Sequence, residues 1–272
     1  MNPLCIYHGN CADGFTSAWV VRQALGTGVA FHAGVYSEPP PDVTGRDVIL
    51  VDFSYKRPVL EDMVDRAASV LILDHHKTVA ADLADLPGAT TVFDMERSGA
   101  RITWDHYFRS PPPQLLLHVE DRDLWRFALP KTREIQANVF SHPYDFDVWS
   151  ALMATNPATL AIEGAAIERK HHKDLAELLK IVTRPMRIGG FVVDCANLPY
   201  TMASDAGAAL GQGKPFGACY WDTPTLRCFS LRSTDAGEDV GAIAEIYGGG
   251  GHRNAAGFRV SFEQAREFEV TE

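Results

Sequence analysis

The residues able to do chemistry gather where apolar runs end. Val70-Leu71-Ile72-Leu73 leads straight into Asp74-His75-His76. That run reads as a strand buried on both faces, as in a parallel sheet. The acid and the two histidines then fall at its carboxyl end, where open α/β sheets carry their ligands. Adjacent side chains on an extended or turning backbone diverge. His75 and His76 therefore divide their tasks: one can hold a metal while the other faces a substrate. Two other runs end in the same way. Leu4 to His8 closes on His8-Gly9-Asn10-Cys11-Ala12-Asp13-Gly14, and Asp47 to Val51 closes on Asp52. A further acidic cluster, Glu120-Asp121-Arg122-Asp123, precedes Leu124 and Trp125.

Any one of these acids alone reads as a helix cap or a surface charge. His8, Asp13, Asp52, His75 and Asp123 taken together read as an oxygen-rich metal set. Carboxylates take hard divalent ions, and imidazole shifts the preference from Mg²⁺ toward Mn²⁺. Asp52 lies between the first loop and the Asp-His-His strand and is placed to bridge two ions. Two ions ~3.5–4 Å apart activate water and stabilise the attacking and leaving oxygens of phosphoester hydrolysis.

A second constellation is Gly248-Gly249-Gly250-Gly251-His252-Arg253. Consecutive glycines let a backbone come close to a ligand, and their exposed N–H groups can form an anion-binding nest. His252 and Arg253 add charge-assisted donors for phosphate. Arg232, ending another strand, can reach the same anion. No Gly-Lys-Ser/Thr follows, and the run precedes a strand, so it is neither a Walker loop nor a dinucleotide fingerprint.

The elements that must position these groups alternate. Strands are predicted at Leu4–His8, Val29–Tyr36, Asp47–Asp52 and Val70–Leu73, and helices at Phe15–Leu25, Arg57–Ala68, Ser98–Phe108, from Gln114, and Lys131–Phe140. That alternation indicates a mostly parallel, doubly wound α/β sheet. Ala158–Val182 is the longest helical candidate and a connector between domains. Its polar middle, with His171 and His172, reads as a solvated face. After Arg184-Pro185 the rhythm changes. Strands are predicted at Phe191–Ala196, Ala218–Trp221, Leu226–Leu231 and Phe258–Val260, and helices at Ser204–Leu210 and Asp239–Tyr247.

Composition narrows the function classes. The 272 residues are 46% apolar and 22% charged, ordinary for a soluble protein with a sizeable core. A net charge of -10 argues against a broad surface for long duplex nucleic acid. Five cysteines without CxxC spacing argue for reduced thiols and a cytoplasmic setting. No apolar run approaches membrane-spanning length.

Asp74-His75-His76 resembles the signature of the DHH phosphoesterases. Gly249 to Gly257 resembles the Gly-Gly-Gly-His-x-x-Ala-Ala-Gly motif of the associated DHHA1 domain. His8 to Gly14 and Asp52 are similar to that family's first two motifs, so the resemblance covers essentially the whole chain. It implies a DHH catalytic domain over 1–155, a linker helix over 156–184 and a smaller α/β DHHA1 substrate-binding domain over 185–272, arranged around a cleft. It also implies two Mn²⁺ ions. One would take His8 and Asp52. The other would take Asp13, Asp52, His75 and an acid of the fourth motif, assigned to Asp123 with Asp121 as the fallback. His76 would face the scissile phosphate, with Asp74 orienting its neighbours. His252 and Arg253, beside Gly250 and Gly251, would hold the substrate's phosphate or terminal nucleotide, with Arg232 assisting. One departure stands out: Cys11 occupies the place of an Asp found in many members. A thiolate is a softer match for Mn²⁺, so Cys11 is either a weak ligand or a structural thiol. The resemblance implies a phosphodiesterase releasing nucleoside monophosphates from short oligonucleotides or linear dinucleotides. Related readings are a phosphatase for 3′-phosphoadenosine 5′-phosphate and a cyclic dinucleotide phosphodiesterase. A nucleotide-binding regulatory protein with an impaired metal site is the reading from another class. The sequence leaves a homodimer open.

Overall fold

The computed structural model describes residues 3–36 and 38–270. The chain divides into two compact units, Met1–Arg169 and Lys170–Glu272. In the first, β1 (Leu4–His8), α1 (Ala12–Leu25), β2 (Ala30–Gly34), β3 (Asp47–Val51), α2 (Arg57–Arg66), β4 (Ser69–Asp74), α3 (Lys77–Asp82) and β5 (Ala89–Phe93) alternate. Helices α4 (Gly99–Tyr107), α5 (Gln114–Asp123), α6 (Thr132–Val139), α7 (Phe146–Ala154) and the start of α8 (Pro157–Val182) follow. The five strands are all parallel, in the order β2-β1-β3-β4-β5.

Side chains alternate along each strand, and the two faces bury different helices. Ile6, Leu50 and Ile72 pack with Leu60 and Met63 of α2. Cys5, Ile49, Val51 and Leu73 pack with Ala18 and Val21 of α1 and Ile102 of α4. The sheet is therefore doubly wound, as its alternating pattern predicts. The strand order reverses between β1 and β3, and such a switch point opens a crevice at the strands' carboxyl ends. His8 ends β1, Asp52 follows β3 and Asp74 ends β4.

Beyond α1 lies an all-helical layer. Phe15 and Trp19 of α1 pack with Trp104, Leu115, Ile135, Trp149 and Leu152. Trp149 is fully buried, and its indole N–H donates to Thr16 Oγ1 at 3.0 Å.

The second unit takes the rest of α8, then β6 (Thr183–Ile188), β7 (Phe191–Asn197), α9 (Ala203–Leu210), β8 (Gly217–Asp222), β9 (Arg227–Arg232), α10 (Val240–Ile246), β10 (Gly250–His252), β11 (Ala255–Val260) and α11 (Phe262–Arg266). Its six-stranded sheet runs β10-β11-β9-β8-β7-β6, antiparallel except at β7–β8.

Several elements differ from the sequence expectation. Helix α1 starts at Ala12, not Phe15, so Asp13 lies in its first turn and not in a loop. Elements α3, β5 and α7 carry weak patterns and are absent from the sequence reading. Arg184-Pro185 is read as a break yet belongs to β6. That strand is an edge, where a missing N–H costs the sheet little. The glycine run is not an open nest: Gly250–His252 is itself an edge strand paired with β11. Gly251 has φ +146, and a Cβ there would come within 2.5 Å of the Ala255 carbonyl. Close backbone approach inside the hairpin is thus one reason for glycine there.

Among the described residues, no helix is long and apolar enough to cross a membrane. All five cysteines are free thiols. Trp149→Ala is expected to cost about 3–5 kcal/mol, read as a lowered midpoint in denaturant unfolding, because it empties the centre of the helical layer.

Candidate metal centre and phosphate-binding hairpin

Asp52 is the hub of the first unit's polar cluster. It sits one residue past β3 with φ +53, a left-handed conformation that Asp tolerates better than most residues. Its carboxylate is buried. Oδ2 lies 3.6 Å from His8 Nδ1 and accepts a weak bond from Cys11 Sγ at 3.7 Å. Oδ1 lies 3.2 Å from His75 Nε2 yet makes no hydrogen bond of good geometry. The same His75 Nε2 is 3.4 Å from Asp123 Oδ2. Two donor groups emerge, each with ligand atoms within 4.8 Å of one another: His8, Cys11 and Asp52, and Asp13, His75 and Asp123. A third, overlapping group is Asp52, Asp74, His75 and His76.

Asp13 is brought in by α1. It stands in the first turn of that helix, where an anion faces the favourable end of the dipole. Its carboxylate accepts from Ala100 N at 3.2 and 3.3 Å. That bond exposes a part of the site the sequence reading missed. Helix α4 starts at Gly99 after the capping residue Ser98, and a Cβ at Gly99 would sit 2.5 Å from Asp52 Cβ and 3.0 Å from Asp13 Oδ2. Only glycine lets this helix end close over both acids. A helix-weakening glycine directly after a capping serine was the available signal.

Asp74 Oδ1 accepts from the backbone N–H groups of His75 at 2.7 Å and His76 at 3.2 Å. It also lies 2.7 Å from His76 Nδ1. That oxygen already accepts from two backbone N–H groups, so Nδ1 is the donor of that bond. Asp74 thus sets the orientation of both histidines, while its buried Oδ2 makes no hydrogen bond.

Asp121 and Asp123 separate clearly. Asp123 belongs to the cluster through His75. Asp121 faces the following loop, its carboxylate accepting from Ala128 N at 2.8 Å, Leu129 N at 3.0 Å and Thr132 Oγ1 at 2.6 Å.

The electrostatics are those of crowded acids. Burial first, then the charges of Asp123 and Asp52, hold the Asp13 carboxyl well above the usual carboxylate range. Burial also raises Asp123, with Asp52 adding and His75 opposing. Burial pushes Asp52 upward too, but the flanking imidazoles of His75 and His8 outweigh it and carry the group below the ordinary value. For His75, burial alone would lower the pKa, yet Asp52 and Asp123 push it up to about 10. Buried acids around two imidazoles, with an Asp52 oxygen left without a hydrogen bond, fit divalent cations. The donors that would hold them are His8, Asp13, Asp52, His75 and Asp123, with Cys11 at the edge of the His8 group.

In the second unit, β9, β11 and β10 bring the predicted phosphate-binding residues together. Arg232 pairs across from Ala255, and Ala255 pairs across from His252. Directly paired residues share a sheet face, so Arg232 and His252 flank the small Ala255 on one face. Arg232 Nη2 donates to Ser204 Oγ at 2.8 Å. Arg253, in the hairpin turn, donates from Nη2 to the carbonyls of Asp235 and Gly237 at 3.2 and 2.9 Å. His171 is not merely solvated: its Nε2 lies 3.0 Å from Asp205 Oδ2.

No protein-family model matches the chain. The uncharacterized protein R106 of Acanthamoeba polyphaga mimivirus is 31% identical over 94% of this chain and 67% of that protein. Among solved structures, the pGpG-specific phosphodiesterase PggH of Vibrio cholerae has a TM-score of 0.50 at 15% identity, over 97% of this chain and 95% of its own. RecJ of Thermus thermophilus, solved in complex with Mn²⁺, has a TM-score of 0.57 at 15% identity. This chain is covered to 97% and spans 50% of that RecJ chain. The resemblance to the DHH phosphoesterases drawn from the motifs therefore holds at the level of the fold.

The raised His75 pKa has a consequence for the metal-free protein. Protonated His75 stabilises the fold fully below its ordinary value of 6.5, and that contribution is lost as pH rises toward 10. Metal-free wild type should therefore lose Tm between pH 7 and 10 more steeply than His75→Ala, measured by calorimetry in chelator. Parallel slopes would remove the His75 ion pairs from the account.

Proposed function

We propose that this chain, a member of the family of the mimivirus protein R106, is a metal-dependent phosphodiesterase that cuts short oligonucleotides or linear dinucleotides to nucleoside monophosphates. The observation that carries the reading is the buried Asp52 carboxylate with His8 on one oxygen and His75 on the other, at the sheet's switch point. The fold shared with RecJ, solved in complex with Mn²⁺, supports that metal here. The fold shared with an enzyme specific for pGpG, a dinucleotide, supports a short substrate. So does the net charge of -10, which disfavours long duplexes.

Divalent ions held by His8, Asp13, Asp52, His75 and Asp123 supply Lewis acidity toward the phosphate and lower the pKa of water. The chain's own residues do the rest. Asp13 and Asp52 are fixed by the α4 N-terminus and the β3 end, so the acids need no reorganisation when substrate arrives. Asp74 orients the His76 ring through Nδ1, and His76 faces the scissile phosphate. Arg232, His252 and Arg253 bind the substrate's terminal phosphate through charge-assisted donors.

The deciding experiment incubates the purified chain with Mn²⁺ and a 5′-phosphorylated diribonucleotide and follows nucleoside monophosphate by chromatography. Turnover is expected. Binding without turnover would overturn the enzyme reading in favour of a nucleotide-binding regulator, with Cys11 weakening the His8 donor group. Cyclic dinucleotides and 3′-phosphoadenosine 5′-phosphate in the same panel test the related activities.

His75→Ala should lower kcat/KM by ~100-fold or more and reduce bound metal, since losing even a supporting group costs ~10–100-fold. Near-wild-type activity and metal content would refute the ligand assignment. Arg253→Ala should raise KM about tenfold, the worth of ~1.4 kcal/mol of charge-assisted hydrogen bonding, with kcat changed less. An unchanged KM would take Arg253 out of the substrate site.

A further inference from the structure

The loop after α5 has unusual backbone geometry. Trp125 and Phe127 have φ of +54 and +48, and Lys131 has +68. Bulky aromatic residues avoid this region, and it persists only where the surroundings overdetermine it, commonly at ligand clamps. Asp121 provides that constraint. Its carbonyl accepts from Arg126 N at 2.8 Å and Phe127 N at 3.3 Å. Its carboxylate takes the N–H groups of Ala128 and Leu129 and the Thr132 hydroxyl. The fallback metal ligand of the sequence reading is thus the anchor of a strained loop.

The strain presents a particular surface. The Trp125 and Phe127 rings meet edge to face, centroids 4.9 Å apart. Arg133 Cζ lies 3.8 Å from the Phe127 centroid and 5.7 Å from that of Trp125. Arg122 Cζ lies 5.8 Å from the Trp125 centroid and 4.4 Å from that of Phe140. The two arginines and the loop's two rings are half-buried, and Phe140 is exposed. In a chain of net charge -10, Arg122 makes no ion pair among the described residues. It immediately precedes Asp123, whose carboxylate is 3.4 Å from His75 Nε2. A pair of arginines laid on aromatic faces therefore begins one residue from the metal-ligand cluster, within the same unit.

A guanidinium already stacked on a ring has lost much of its freedom and presents a planar fork that fits phosphate. Aromatic rings beside it offer a stacking platform that accepts any base. We propose that Arg122, Trp125, Phe127 and Arg133 form a second nucleotide subsite, which takes the phosphodiester and base of the nucleotide next to the one being released. The subsite rests on the proposed oligonucleotide substrate. All four of its residues lie in the first unit.

The test is fluorescence anisotropy of a labelled triribonucleotide with phosphorothioate linkages on the full chain with Mn²⁺, titrated with salt. Arg122→Gln should raise Kd about tenfold and flatten the log Kd against log salt slope by about 0.7, the loss of one single-strand phosphate contact. Trp125→Leu should raise Kd with the slope unchanged, and Arg122→Lys should keep the slope while weakening Kd. Circular dichroism and Tm establish that each variant is folded; should Trp125→Leu unfold, Arg122→Gln and Arg122→Lys decide alone. A folded Arg122→Gln with wild-type Kd and slope overturns the subsite and leaves the stack a structural clamp. Wild type that does not bind the trinucleotide also overturns it. Wild type that binds with the predicted Arg122 dependence but never hydrolyses natural oligonucleotides refutes the proposed activity and leaves the subsite standing.

Discussion

Carboxylates buried side by side are the constraint on which the first unit is built. Asp13, Asp52 and Asp123 share one pocket with His8 and His75, and burial makes each charge expensive. Without cations the cluster compromises: Asp52 stays ionised against its histidines, His75 holds a proton, and Asp13 and Asp123 are pushed toward neutrality. The surrounding fold keeps the groups together against their repulsion. Parallel pairing of β1, β3 and β4 fixes three of the strand ends, and the α4 N-terminus donates a backbone N–H to Asp13. The crowded charges sit where hydrophobic layers pack on both sheet faces.

The same logic separates positioning acids from cluster acids. Asp74 and Asp121 are as buried as Asp13 and Asp52, but Asp74 Oδ1 is taken up by the amides and ring of the two histidines that follow it, and both Asp121 oxygens by its own loop. Asp74 turns the two histidines, and Asp121 folds the loop that follows Asp123. Counting acids in the sequence cannot separate these roles, because the deciding partners are main-chain amides of residues with no chemical signature.

Cys11 marks where this chain departs from its resemblance. The thiol caps no helix end by hydrogen bond, yet it stands with His8 beside Asp52 Oδ2. Its pKa is raised, first by burial and then by the Asp52 charge. A neutral thiol there is a weak donor, so the His8 side of the cluster is poorer in charge than the His75 side.

The sequence by itself determined the sheet class, the strands that end in acids and histidines, and the residues His8, Asp13, Asp52, His75 and Asp123 that the fold gathers. Buried parallel strands write themselves as unbroken apolar runs, and chemistry placed at their ends is adjacent in sequence to those runs. Tertiary structure decided what depends on atoms distant in the chain. It put Asp13 on a helix, closed Gly99 over Asp52, and turned Asp121 inward to its own loop. It also turned the glycine run into an edge strand, because a hairpin partner, Ala255 to Gly257, can pair with it. Elements α3, β5 and α7 stayed illegible for a related reason: packing against neighbours, as of Trp149 and Leu152 of α7 with Phe15 and Trp19 of α1, more than their own pattern, holds them in place.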